Sequence, residues 1–580
     1  MRDILSKSMR FAHWQVVCAG LLLVAIVCGL YGQVLGFSLV EYDDTVLLAG
    51  NPYVRHGLTT EGLKWAFYFH DGGQSLRAGV ENLWHPLTWV SHMVDYELWG
   101  ANYRWHHAMN LALHALATLL VFWVFSRWLG SRLGGFMMAL LFAIHPMHVE
   151  TVAWLSDRKG LLSACGFLLS LGLYQRSEGS ARSWRQASAS VFGLALLAKP
   201  SVVVLPGILV LLDWYENRKG VPDTPRDWLV FHIRDKALWW VPALLVSAVT
   251  LLSQGGGTHG DVGPMSARVL ALPANFLDYW IKLLWPVGLT FHNAAPVHAT
   301  SWVYGSLLGC GFLVLFSYLW SQRERQRVAL VSGLWMLLCW LPVSGWVVVG
   351  TSFTCNRYSY LMYCGAFFGI VSAWLHLFAR QRVLASGVAV AGLSALAVLA
   401  FQQVNVWKTS EALFAHAYRW QPHDFYVVIN QATMKQRMGK VEESLKYYEQ
   451  ARQLAPRDPV VLFNIAVVEA NRGNFTIAAK HCREAVANQP AFAPAWFHLG
   501  RMISQGNAVA SYPDEARVCL ERACEASCWK DPKSILALAQ VYQSSGQSHE
   551  LRGLVERTRE LKISDPRLAS MMDQWRQKFP

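Results

Sequence analysis

The chain has 580 residues, 53% of them hydrophobic and only 15% charged, with a formal charge of +13. A chain of this length and apolarity is not an ordinary soluble protein. Its Lys and Arg residues collect at the ends of apolar segments, where they orient a membrane protein, so the basicity does not point to nucleic acid.

Apolar segments run over 14–37, 108–127, 133–145, 158–175, 187–199, 201–214, 238–253, 302–320, 328–349, 359–378 and 383–403. Judged against the ~20 residues needed to cross hydrocarbon, they predict about eleven spans, several short enough to be tilted or broken. The first segment is too long for a signal-peptide core and lacks a small-residue cleavage site, so it is expected to stay as a helix. Arg2, Lys7 and Arg10 precede it, and basic residues return at alternate connections: Arg127 and Arg132, then Arg176, Arg182 and Arg185, Arg218 through Lys236, Arg323 through Arg327, and Arg380 with Arg382. These ends are predicted inside. Residues 38–107, 145–159, 254–301 and 350–358 then form outer, amphipathic loops, and an odd number of spans puts everything after the last one outside too. A membrane domain over 1–404 and an extracytoplasmic domain over 405–580 follow.

Beyond residue 405 the chain is polar and repetitive. Pro422, Pro456 and Pro490 recur with Ala417, Ala451 and Ala485 and with Phe414, Tyr448 and Cys482, at the period of ~34 that marks tetratricopeptide repeats. Gly439 and Gly473 fall at the turns within units. A third unit holds Trp496, Leu499, Gly500, Ala516, Leu520 and Ala523 with an insertion over 507–513, and a degenerate fourth holds Leu538, Ala539, Tyr542 and Gly546. Stacked pairs of this kind form an α-solenoid whose concave face suits a peptide or protein, or serves as a spacer or subunit contact.

Tyr42, Asp43 and Asp44 follow the first span directly, on the predicted outer side. A carboxylate there can take a proton from an acceptor hydroxyl while a lipid-anchored donor approaches from the bilayer. Asp43 is the first candidate for that base. Asp44 would orient the acceptor, raise the pKa of its neighbour or bind a metal, and a surface helix cap is the simpler reading of both. Arg357 lies at the outer mouth of a span, where a guanidinium can grip a lipid phosphate; Arg158 and Lys159 lie at another outer end and can do the same, or snorkel to headgroups. Lys199, before Pro200 at a helix break, is expected to face a cavity. His145, His148 and Glu150 cluster at an outer helix end and leave room for a divalent metal, although the proline between the histidines works against convergence. No other cofactor is indicated. His85, His106, His107 and His114 read either as site residues or as packed hydrogen-bonding partners. Gly255 to Gly257 lack the flanking strand and helix of a nucleotide-sugar loop, which favours a lipid-linked donor. The 11 cysteines are scattered through spans and repeats and make no disulfide framework by count, although Cys519, Cys524 and Cys528 would lie in an oxidising compartment.

In order along the chain, Tyr42-Asp43-Asp44, Trp84-His85-Pro86-Leu87-Thr88, His107 with Asn110 and His114, and Leu141-Phe142-Ala143 with His145, Pro146, His148, Val149 and Glu150 come first. Arg158-Lys159 with Leu161 and Leu162, Ala198-Lys199-Pro200 and Arg357-Tyr358 follow. This succession resembles the transmembrane and tetratricopeptide-repeat O-mannosyltransferase family and its bacterial relatives, over essentially the whole chain. The resemblance implies an all-α, polytopic GT-C glycosyltransferase that uses a polyprenyl- or dolichyl-phosphate sugar, with its chemistry on the outer face of, here, a bacterial cytoplasmic membrane. Where the family carries an acidic residue this chain has Gly160, which leaves Asp157 as the substitute. Two carboxylates in one dipeptide do not flank a reacting carbon, so a single, inverting displacement is favoured.

Three functions fit these features. The first is transfer of a sugar, mannose by analogy, from a polyprenyl-phosphate carrier to Ser or Thr of an exported protein. The second is the same donor chemistry on a lipid, glycan or cell-envelope polymer. The third is a noncatalytic membrane scaffold with protein-binding repeats.

Overall fold

The computed structural model describes residues 13–68, 84–177, 182–218, 221–222, 224–254, 265–293, 302–345, 352–511, 514–560, 568, 570–571 and 573–575. Arg2, Lys7, Arg10 and Gly255 to Gly257 lie outside these described residues. All regular structure within them is helical. The chain divides into two compact units, Met1–Ala417 and Tyr418–Pro580.

In the first unit five helices are long and apolar enough to cross a membrane: Trp14–Gly36, Tyr103–Trp128, Trp302–Ser321, Asn356–Arg380 and Arg382–Val406. Two bent pairs, Arg132–Ile144 with Pro146–Ala153 (57°) and Pro225–Asp235 with Ala237–Leu252 (79°), raise the number to seven. The expected eleven spans are not reached by this measure, and the reason is visible in Arg158–Arg176 and Arg182–Ala198. Their apolar runs are diluted by small and polar residues that serve helix–helix contact. A Cβ on Gly166 would come within 2.7 Å of Ala195 Cβ, and the Ser170 and Ser188 hydroxyls lie 2.9 Å apart. Trp302–Ser321 and Arg382–Val406 are the opposite case, with only 6% and 11% of their apolar windows buried.

A further helix, Met265–Leu284, lies within 254–301, where the sequence predicts an outer loop. It buries Ala271, Ala274, Asn275, Tyr279 and Leu283 along one stripe, the 3–4 spacing of an amphipathic helix. Its polar face is engaged as well: Trp340 Nε1 donates to Asn275 Oδ1 at 2.7 Å, and Thr354 Oγ1 donates to Asp278 Oδ2 at 2.7 Å while receiving Lys282 Nζ at 3.1 Å.

Alternate connections gather at opposite ends. At one end Tyr42 packs on Trp154 and Phe291 with ring centroids 5.1 and 4.9 Å away, and Phe353 N–H donates to Asn293 O at 2.7 Å. At the other, the connection from Arg218 to Lys236 is ion-paired. Lys236 Nζ sits 2.5 Å from Asp213 Oδ2 and 3.0 Å from Asp235 Oδ2, Arg218 reaches the same two carboxylates at 2.9 and 2.7 Å, and Tyr174 OH donates to Asp213 Oδ1 at 2.9 Å.

The second unit is a run of helix pairs: Phe425–Arg437 with Val441–Leu454, Pro459–Asn471 with Phe475–Asn488, Ala493–Ser504 with Glu515–Ala526, and Pro532–Ser544 with Ser548–Glu560. Asp424, Asp458 and Asp531 cap the leading helix of their pairs by accepting backbone N–H groups of the first turn. Gly439, Gly473 and Gly546 turn the chain at φ +73, +84 and +73°, a left-handed conformation that a Cβ disfavours. Tyr448, Ala451, Cys482 and Ala485 are fully buried, as packing positions of a tetratricopeptide-type solenoid require.

Candidate active site

Asp43 and Asp44 are adjacent in sequence and opposite in use. Asp44 is buried; its Oδ1 accepts the backbone N–H of Ser156 at 3.0 Å and the Ser156 hydroxyl at 2.5 Å, and its Oδ2 accepts Val40 N–H at 3.2 Å. It thus fastens the 40–44 turn to the 155–157 turn. Burial pushes its carboxyl up to about 6 in spite of these donors. Asp43 is half-buried, and its carboxylate has no hydrogen bond or ion pair among the described residues; Tyr42 and Lys159 lie within electrostatic reach.

Trp154 joins the surrounding groups. Its ring meets Tyr42, stacks on Trp407 at 5.9 Å, and carries the Lys159 ammonium at 5.7 Å and the Arg357 guanidinium at 5.2 Å. Arg357 also lies 5.2 Å from the Tyr358 ring and pairs with Glu150 Oε1 at 2.7 Å. Lys199 Nζ reaches Asp157 Oδ1 at 3.2 Å and lies 5.7 Å from the Tyr358 ring. Lys199 and Arg357, with Ser163, Ser201, Tyr358 and Tyr360, line a cavity of about 40 Å³. Two cations and several hydroxyl groups at its wall suit an anion.

The substitution at Gly160 has a spatial counterpart. A Cβ there would fall 2.7 Å from Asp157 Oδ2, so the Asp157 carboxylate stands where an acidic side chain on residue 160 would begin.

The structure turns two groups of candidates to other work. Arg158 is fully buried. Its Nε donates to Asn110 Oδ1 at 2.8 Å, one terminal nitrogen to His106 O at 2.7 Å, and the other to Asp95 Oδ2 and the Ser91 hydroxyl. No face is left for a donor phosphate, so of the Arg158–Lys159 pair only Lys159 faces the site. His145, His148 and Glu150 do not converge as metal ligands either. His145 Nε2 lies 3.2 Å from Leu283 O and its Nδ1 accepts Met147 N–H, His148 Nδ1 lies 2.8 Å from Phe142 O, and Glu150 holds Arg357. His114 bridges Tyr360 OH at 2.7 Å and Ala143 O at 3.2 Å, and His107 is buried edge-on to Phe37 at 6.2 Å. His85 stays with the site: it shares a small cavity with Lys159 and Ser156, and burial, with Lys159 and Lys199 close by, holds its imidazole well below the ordinary range and therefore neutral.

Reading the chain residue by residue passes over Trp154 and Ser156, which hold the parts together. A tryptophan among 27 and a serine in a turn carry no local signal. The turn itself does, since Asp44 needs a donor once buried.

No family model matches the chain. It is 24% identical over 505 residues, 78% of its length, to human "Protein O-mannosyl-transferase TMTC1", of which that match covers 56%. Over 34% of its length it is 32% identical to mouse TMTC1, covering 22% of that protein, and over 25% it is 33% identical to fruit-fly Tmtc1, covering 17%. The chain is a relative of these proteins and spans about half the length of the human one. A solved structure, that of the APC/C hetero-tetramer Cut9-Hcn1, aligns over 85% of this chain and 98% of its own at 13% identity with a TM-score of 0.26, too low to bear on the fold.

Proposed function

We propose, from this kinship with protein O-mannosyl-transferases and from the geometry of the site, that the chain is an inverting membrane glycosyltransferase. It would move a sugar, mannose by analogy, from a polyprenyl-phosphate carrier to a Ser or Thr hydroxyl of a protein. The observation that carries this reading is the Asp43 carboxylate, without a partner among the described residues and within electrostatic reach of Lys159, which lies with Arg357 against the Trp154 ring.

In the proposed step, the Asp43 carboxylate takes the proton of the acceptor hydroxyl as its oxygen attacks the anomeric carbon. The bond from that carbon to the carrier phosphate breaks, and the phosphate leaves with the bonding electrons. Arg357 and Lys199, at the wall of one cavity, stabilise the charge that develops on it. Glu150 and Asp157 hold these two cations in place, and Lys159 closes the cationic side. Tyr42, only partly buried, offers its ring to the sugar. A single displacement inverts the anomeric centre.

Positive charge at alternate connections puts the basic end in the cytoplasm and the Asp43 end outside, in this reading of a bacterial cytoplasmic membrane. The repeats would lie on the outer side as well and hold the protein acceptor in their groove.

The test uses the full chain reconstituted in lipid with a polyprenyl-phosphate mannose and a Ser/Thr peptide, read by mass spectrometry. Transfer that depends on Asp43, with the product anomer opposite to that of the donor, is expected. A lipid or glycan product in place of the peptide would move the chain to the second reading, and no transfer from any lipid-phosphate sugar would leave the scaffold.

A further inference from the structure

Outside the groups used in that step, one side-chain cluster is only partly satisfied. His92 and Asp95 lie one turn apart on the helix Pro86–Trp99, and His106 faces them from the start of Tyr103–Trp128. All are buried, and a ligand-type atom from each lies within 4.8 Å of those from the other two; among the described residues this is the one such grouping of three.

The hydrogen bonding around it is incomplete in a particular way. His92 Nδ1, Asp95 Oδ1 and His106 Nδ1 are all buried with no hydrogen-bond partner, and a buried polar atom that nothing meets is costly. His106 Nε2 lies 2.9 Å from Gly100 O. A carbonyl only accepts, so that nitrogen carries the ring proton and Nδ1 is left as a lone pair. The lone pair lies 3.4 Å from Asp95 Oδ2, the oxygen that Arg158 holds, so the oxygen of Asp95 left for an ion is Oδ1.

The surroundings are those of a ligand set. A metal-bound imidazole usually donates its other N–H to a carbonyl or carboxylate, as His106 does to Gly100, and a ligating carboxylate is usually held by a donor on its second oxygen, as Arg158 holds Asp95. Two imidazoles and one carboxylate suit a first-row divalent ion with an open position.

We propose that His92, Asp95 and His106 bind a zinc-type divalent ion that pins the helix Pro86–Trp99 to the helix Tyr103–Trp128. The ion takes no part in the transfer step. Through Asp95 and Arg158 it steadies the turn that presents Lys159, so the site stands independently of which sugar or acceptor the chain uses.

Full-length, tag-free protein in detergent, loaded with Zn²⁺ and freed of excess, is expected to retain one equivalent by elemental analysis. Co²⁺ in its place should give the intense visible bands of a four- or five-coordinate site, which need no activity to be read. His92→Gln should weaken retention at least ~10-fold, the lower range for loss of a group that supports a metal site, while His148→Gln retains the ion. His92 makes no hydrogen bond among the described residues, so its replacement breaks none, and an unchanged melting temperature of the metal-free variant confirms that the fold is kept. Wild-type protein that keeps no ion, or shows only the pale spectrum of six-coordinate Co²⁺, overturns the proposal, as does a His92→Gln protein that binds as tightly as wild type.

Discussion

Neighbouring carboxylates at 43 and 44 differ because Asp44 meets donors and Asp43 meets none among the described residues. Asp43→Asn is expected to lower transfer at least ~100-fold, the usual scale for a general base, with an unchanged melting temperature; full activity in a folded variant would remove Asp43 from the mechanism. Asp44 should register in stability. Its carboxyl is raised from 3.8 to about 6 by burial, so the folded state holds that proton more tightly than the unfolded one. The contribution is complete below pH 3.8 and is lost as the pH rises through about 6, amounting to roughly 3 kcal/mol. Melting followed across that window should show the slope in wild type and its absence in Asp44→Asn. Arg357 presents a different separation. Arg357→Ala leaves Glu150 buried without its cation, a loss of roughly 3–5 kcal/mol. Adding Glu150→Gln should restore the melting temperature without restoring use of the lipid-phosphate donor, whereas recovery of both would make the pair purely structural.

Helix Arg158–Arg176 begins with two cations whose fates are set by about 100° of helical rotation. Arg158 turns inward to Asn110, Asp95 and the His106 carbonyl, and Lys159 turns to the Trp154 face. Arg158→Lys should therefore lower stability by roughly 2 kcal/mol or more, since an ammonium does not meet acceptors spread around a planar fork, and should leave the donor KM alone. A raised KM at full stability would return Arg158 to the donor site. Spans such as Tyr103–Trp128 and Arg382–Val406 are legible because their long apolar runs outweigh their polar residues, such as Asn110 and His114 in the first. Met265–Leu284 is not, because Asn275, Asp278 and Lys282 break its hydropathy and only their distant partners Trp340, Phe353 and Thr354 explain them. The same limit applies to the site. Asp43, Lys159, Lys199, Arg357 and Glu150 are recognisable as chemistry-bearing residues at predicted loop ends, but their pairings join positions up to 207 residues apart. Which cation is free and which is consumed is decided by those distant neighbours.

At the scale of the whole chain, the first compact unit extends through Ala417, and Ser410 accepts Glu41 N–H at 2.8 Å close to Asp43. A truncation that removes the repeats should therefore end after Ala417. It is expected to spare transfer to a short peptide and to impair transfer to a folded protein through loss of effective concentration; equal rates on both acceptors would make the repeats a spacer. The sparsely buried helix Arg382–Val406 has 25 residues, roughly 37 Å at 1.5 Å per residue, against a hydrocarbon core of about 30 Å. It must tilt, and its far end leads directly into Trp407, which stacks on Trp154. Bilayer thickness then acts on the reaction as a ligand does, without binding anywhere: thinner membranes lay the helix over, thicker ones stand it up, and each tilt sets Trp407 against the ring that carries Arg357. Transfer measured across nanodiscs of graded acyl length should pass through a maximum, and a flat profile would show that the helix moves without the site.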